Sequence, residues 1–370
     1  MNVKIFYGGL FEFREILLDK EYISIVDIAI LDDTIRRKVK VDVQGQEIKE
    51  DKEEEKIYYN NVVAFSDDYP SLSEGSIESF TNLVLRFDID NLYLQNPPNS
   101  IVKYIQGLSC VNCTKISQNY KKVNMDSLKK IKRKFSEAVI GQENAQNKIL
   151  AALYNVAKCR YNKPCVMLFY GSAGVGKTES AKFIADMLDE TLFRKQFSMF
   201  HSEEFSSYIF GGKHNQNSLA KELLERESNV ILFDEFDKPN PVFHSAFYQL
   251  FDEGIYVDKN FTVNMKGSVI ICTSNYMSEK EIKSALGEPI FSRFDAVIKF
   301  KKLDKDAISK IIEKEYEKQY SMLDENEKKI IDRYDIKNKV LNLAEELDNV
   351  RQIRRIIMEA FSNTLVGELL

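Results

Sequence analysis

Short runs that are almost wholly apolar recur through the middle of the chain, at residues 165–170, 229–233 and 268–273. Their length and their Val, Ile and Phe content predict buried strands. Stretches with helical spacing separate them, one of them over 177–188. Strands apolar on both faces, alternating with helices, indicate a parallel sheet covered on both sides. Two regions flank this α/β core. Before it, residues 22–31 are rich in β-branched positions and predict a buried strand, and 39–43 alternate as a half-exposed strand would. Residues 47–56 are mostly Glu, Asp and Lys and predict a solvated loop or hairpin tip, and Asn96-Pro97-Pro98 ends any regular element. Residues 126–138 predict a basic amphipathic helix, and from 304 onward the pattern is helical and charged, with no strand. The expected organisation is a mixed α+β domain over 1–122, an α/β domain over 123–302 and a helical region over 303–370.

Composition narrows this picture. A chain of 370 residues with 44% apolar content can bury more than one core. The net charge of −5 argues against nucleic acid as the main partner, while leaving a local basic patch open. The first residues lack an apolar signal segment, and no run nears the ~20 apolar residues a membrane helix needs. A soluble cytoplasmic protein is the expectation, with no membrane partner. Cys110 and Cys113 form one CxxC among five cysteines, without a second pair at zinc spacing, and read as ordinary thiols.

Gly171-Ser172-Ala173-Gly174-Val175-Gly176-Lys177-Thr178 matches G-x-x-x-x-G-K-[ST] without gaps. Glycines let successive amides point inward at phosphate oxygens, and the helix that starts here turns its positive end to the anion. Lys177 would neutralise the β and γ phosphates of ATP, and the Thr178 hydroxyl would ligate Mg²⁺. Glu179, the next residue, belongs to the same nucleotide-binding set. Asp234 and Glu235 close the second apolar run, where open α/β sheets bind ligands. Asp234 can hold the metal, directly or through water, and Glu235 can orient and deprotonate the attacking water.

Three further segments carry a resemblance: Val230-Ile231-Leu232-Phe233-Asp234-Glu235-Phe236-Asp237-Lys238-Pro239, Phe247-Tyr248-Gln249-Leu250-Phe251-Asp252-Glu253-Gly254 and Ile270-Ile271-Cys272-Thr273-Ser274-Asn275. Together they resemble the Clp-type AAA+ ATPases, most of all the second ATPase module of that group and, less closely, ClpX. The resemblance spans about 125–360. It implies a P-loop AAA+ sheet flanked by helices, a small helical lid after it, and ATP hydrolysis. It also implies roles by position. Asn275 matches a sensor near the γ phosphate, Arg293 an arginine finger, Arg351 a second sensor, and Val139 and Ile140 the residues lining the adenine pocket. The bland alternatives are a strand-end cap for Asn275, an ion pair with Asp295 for Arg293, and a solvated helix face for Arg351. Because the finger acts on a neighbouring subunit in that family, a homo-oligomer, usually a hexamer, is implied.

The chain departs from the family where Clp unfoldases grip polypeptide with an aromatic residue between glycines. Here Tyr208-Ile209-Phe210-Gly211-Gly212-Lys213-His214-Asn215-Gln216-Asn217-Ser218-Leu219 is shorter, and polar where the family has Gly-Tyr-Val-Gly, and Tyr208 and Phe210 are expected to pack into the core. No peptidase-docking Ile-Gly-Phe loop occurs near Ala285-Leu286-Gly287-Glu288. Three functions compete: an ATPase that remodels protein partners chosen by the N-terminal domain, a nucleic-acid-directed motor or loader using Lys121-Lys122 with the basic stretch Lys129 to Lys134, and a nucleotide-gated switch or scaffold in a defence or mobile-element system.

Overall fold

The computed structural model describes residues 1–41, 56–109, 111–160, 162–199 and 202–369. They divide into two compact units, one of 1–120 with 200–227 and 255–265, the other of 121–199 with 228–254 and 266–370.

The first unit is built on a sheet of five strands, β1 (Asn2–Tyr7), β2 (Ile23–Ser24), β3 (Tyr58–Ala64), β4 (Asp88–Gln95) and β5 (Asn112–Ser117), in the order β2-β3-β4-β1-β5. All four pairings are parallel. Alternate residues bury opposite faces, Val3, Ile5, Val62 and Leu92 on one and Phe6, Val63 and Tyr93 on the other. The expected strand over 22–31 is corrected: only Ile23–Ser24 is extended, and a helix runs over Ile25–Val41. The reason is spacing, because Ile25, Ile28 and Asp32 are the buried positions and lie three and four apart, on one helical face. Residues 39–41 of the second expected strand belong to the same helix, and 42–55, with most of the expected acidic loop, lie outside the described residues. So does Cys110; Cys113 is a free, half-buried thiol.

Two later segments join this unit. The first carries the helices Ser202–Phe210 and Leu219–Leu224, and the second is the hairpin Ile255–Val257 with Thr262–Asn264. Ser66 Oγ donates to Glu225 at 2.5 Å, Lys221 pairs with Asp67 at 3.0 Å, and His214 Nε2 lies 2.8 Å from the Leu72 carbonyl. Tyr208 is buried and bonded to Glu222, as expected of a core residue, whereas Phe210 is 41% exposed.

The second unit holds another five-stranded parallel sheet, β6 (Cys165–Tyr170), β7 (Phe193–Gln196), β8 (Val230–Asp234), β9 (Val269–Ser274) and β10 (Ala296–Lys299), in the order β10-β6-β9-β8-β7. Every residue of β6, β8 and β9 is buried, as strands with helices on both faces must be. The basic stretch is a helix, Met125–Ala138, capped by Asn124. It turns Leu128, Ile131 and Phe135 inward and leaves Lys129, Lys130, Lys132, Arg133 and Lys134 in solvent. Four helices follow the sheet, Lys305–Tyr320, Glu325–Arg333, Ile336–Asn342 and Val350–Leu369. They share a core of Ile308, Ile312, Tyr316, Ile331, Ile353, Ile357 and Phe361. No helix among the described residues is long and apolar enough to cross a membrane.

Candidate active site

The strand β6 ends at Tyr170, and the helix Lys177–Met187 begins seven residues later. The turn between them depends on glycine. A Cβ on Gly171 would stand 2.3 Å from the Phe300 carbonyl oxygen, and Gly174 and Gly176 hold φ of 76° and 104°. Gln142 fixes the loop from behind, donating to the carbonyls of Val175 at 3.2 Å and Lys301 at 2.9 Å while accepting the Lys301 amide at 3.0 Å. The amide of Val350, at the head of the last helix, donates to the Gly174 carbonyl at 3.1 Å.

Lys177 curls back under this loop. Its ammonium donates to the carbonyls of Gly171 at 2.5 Å and Ser172 at 2.8 Å, and to Asn275 Oδ1 at 3.0 Å. Burial pulls its pKa down to about 8, partly opposed by the charges of Asp234, Asp237 and Glu235, while Arg351 pushes the same way as burial. An ammonium hydrogen-bonded to carbonyl oxygens, with the carboxylates acting on it only through their charge, can still take an anion.

The acidic pair stands at the end of β8. Asp234 Oδ1 accepts the Thr273 hydroxyl at 2.5 Å, and the same Thr273 Oγ1 accepts the Glu235 amide at 2.9 Å. Glu235 takes φ of +55°, a left-handed conformation that costs a side-chain-bearing residue energy. Bonds from Ser198 and then Gln196, the latter at 3.1 Å, hold the Glu235 carboxyl below its usual range against the opposing effect of burial. Asp237, two residues on, is pushed up by burial, and its Oδ1 has no partner.

The other expected residues have varied surroundings. Val139 is buried with Cγ1 2.9 Å from where a Gly176 Cβ would stand, and Ile140 packs on the core of the four C-terminal helices. Ser172, Thr178 and Glu179 are accessible, while Val175 is buried. Arg351 is exposed, and its charge acts on both Lys177 and Glu235. Arg293 is held by other groups: its Nε donates to Asp252 at 2.8 Å and its guanidinium lies 4.3 Å from the centre of the Tyr248 ring. Its expected alternative partner, Asp295, instead pairs with Lys163 at 2.8 Å.

The sequence profile of the AAA domain (Cdc48 subfamily) matches residues 162–333. The ATP-dependent Clp protease ATP-binding subunit ClpL of Staphylococcus aureus (strain MRSA252) is 30% identical over 233 residues, 56% of this chain and 33% of that one. Residues 162–333 match an AAA-type ATPase domain, and the chain is similar over 56% of its length to a Clp ATP-binding subunit. It spans about a third of the length of the curated relatives it matches. Among solved structures, a closed-state Hsp104 reconstruction with ATPγS and FITC casein covers 100% of this chain and 88% of its own. Its TM-score is 0.58 at 13% identity, a likeness of fold.

Sequence reading missed Gln142, Arg194, Gln196, Ser198 and Thr273 as contributors to this site. Thr273 lay inside the quoted Thr-Ser-Asn strand end. Arg194 and Gln196 are polar residues two apart on a short strand, a signal whose meaning appears only once that strand is paired with β8, where Gln196 stands opposite Asp234.

Proposed function

We propose that this chain couples ATP hydrolysis to remodelling of protein partners, working as a cytoplasmic homo-oligomeric ring. The observation that carries the reading is Lys177. Its charge sits among carbonyls at the head of a helix, with Asn275 on one side and the Asp234–Glu235 pair close enough to act on it. The glycine loop supplies inward amides for the triphosphate. Glu235, held ionised by Ser198 and Gln196, takes the proton of the attacking water. Mg²⁺ fits the donor set of the Thr178 hydroxyl and the Asp234 carboxylate and, when bound, neutralises charge on the β and γ phosphates. Asn275 and Arg351 face the same charge, and Arg293 serves a neighbouring subunit.

The ring is tested by mixing. Arg293→Ala subunits and Lys177→Ala subunits, each inactive alone, regain part of their ATPase activity together if the arginine acts across an interface. An absence of complementation counts against the ring. The remodelling role is tested by retaining whatever associates with the Glu235→Gln protein in ATP. A protein released when ATP is replaced by ADP supports it.

One observation favours a second reading, a slow nucleotide-gated switch. The stretch where relatives of this type carry a gripping loop is tied down. The Lys259 amide donates to Phe210 at 2.9 Å, Asn260 donates to Gly212 at 3.1 Å, and His214 is bonded to Leu72. Steady turnover by the isolated protein without any partner excludes a pure switch.

A further inference from the structure

The short edge strand β7 places Arg194 and Gln196 on the same face of the sheet, because side chains two apart point the same way. Gln196 goes to Glu235. Arg194 goes to Asp234, its Nε at 3.1 Å and Nη2 at 2.5 Å from one oxygen, Oδ2. The other oxygen, Oδ1, accepts the Thr273 hydroxyl. Both oxygens of the carboxylate assigned to the metal are therefore engaged by protein. The Asp234 side chain is 10% exposed and that of Arg194 44%, so the carboxylate is fixed while the guanidinium can leave toward solvent. A guanidinium at this distance lowers the negative charge the carboxylate offers to any second cation. Mg²⁺ dehydrates reluctantly and is held through one or two carboxylates. At Asp234 it meets an oxygen already committed to the Arg194 guanidinium.

We infer that Arg194 is a positioning residue that competes with Mg²⁺ for Asp234 Oδ2 and so sets the metal concentration at which nucleotide is bound with its metal. The inference rests on the reading of Asp234 as the metal carboxylate. It has a structural rationale. Without metal, Arg194 neutralises Asp234, so an incoming triphosphate does not meet a bare carboxylate beside Lys177. With metal, the half-exposed guanidinium gives way and Asp234 is already oriented by Thr273.

The test is equilibrium binding of a fluorescent, slowly hydrolysed ATP analogue to the full chain as Mg²⁺ is varied. Arg194→Ala and Arg194→Gln, which remove the charge with and without a hydrogen-bonding replacement, should lower the half-saturating Mg²⁺ concentration about fivefold or more. Arg194→Lys, which keeps the charge, should stay within about twofold of the parent. Asp234→Asn should raise the midpoint. If Asp234→Asn moves the midpoint while the neutral Arg194 variants leave it unchanged or raise it, the inference is wrong and the metal reading stands. If Asp234→Asn leaves the midpoint in place, both fall together.

Discussion

The described residues contain two five-stranded parallel sheets, and in each the helix after the first strand opens on a glycine turn. After β6 the turn is Gly171 to Gly176, and its floor is a buried ammonium. After β1 the turn is Gly8-Gly9, and it is filled by protein. Asn96 accepts the Gly8 amide at 2.9 Å and donates to the Gly8 carbonyl at 2.8 Å, while Gln118 accepts the Gly9 amide at 2.5 Å. Glu227, bonded to Gln118 at 3.1 Å, brings its carboxylate to within 1.9 Å of where a Gly9 Cβ would stand. An anion arriving there would find amides already satisfied and a carboxylate in place. The two sheets share an architecture whose strand ends can bind ligands. The residues at those ends decide that one is proposed as a phosphate site and the other is a closed junction.

The contrast can be broken in several ways. The largest effect belongs to Glu235→Gln, which should slow hydrolysis by about 10²–10³-fold while leaving ATP affinity within about twofold, read by steady-state turnover beside equilibrium binding. Normal turnover would remove Glu235 from the role of base. Next is Lys177→Ala, which should weaken ATP by about 10–100-fold, since a charge-assisted contact made by a buried cation is lost. Binding that survives intact would mean the open turn is no more a phosphate site than the filled one.

A smaller effect follows from the Lys177 pKa of about 8. Its depressed value means that the nucleotide-free site loses its ammonium as pH rises through about 8. A bound polyanion favours the protonated form. ATP affinity should therefore be flat below that pH and fall by up to about tenfold per unit above it, as binding isotherms across pH 6.5–9.5 would show. The smallest effect on nucleotide sharpens the comparison from the other side. Asn96→Ala should destabilise the first unit by about 1–3 kcal/mol in denaturant unfolding, because both backbone groups of Gly8 lose a partner, yet leave ATP affinity unchanged. A loss of affinity would show that the filled turn takes part in nucleotide binding.

Much of the second sheet was legible beforehand because its signals are local. Apolar runs at 165–170, 229–233 and 268–273 became β6, β8 and β9 within a residue at either end. A loop pattern that binds phosphate through its own backbone is also readable in one stretch of chain. The first sheet was less legible, since Ile25, Ile28 and Asp32 carry a helical period inside a β-branched composition, and composition misled.

The amino-acid order alone therefore determined the glycine loop, its lysine and the acidic pair at a strand end, because each is a property of neighbours in sequence. Only the tertiary structure decided what surrounds them. Arg194 lies on Asp234, Gln196 on Glu235 and Thr273 on both, and Lys177 reaches Asn275, a residue 98 positions away. These contacts exist because pairing of β7, β8 and β9 sets the register of side chains at the sheet's end, and register between strands is not written in any one of them.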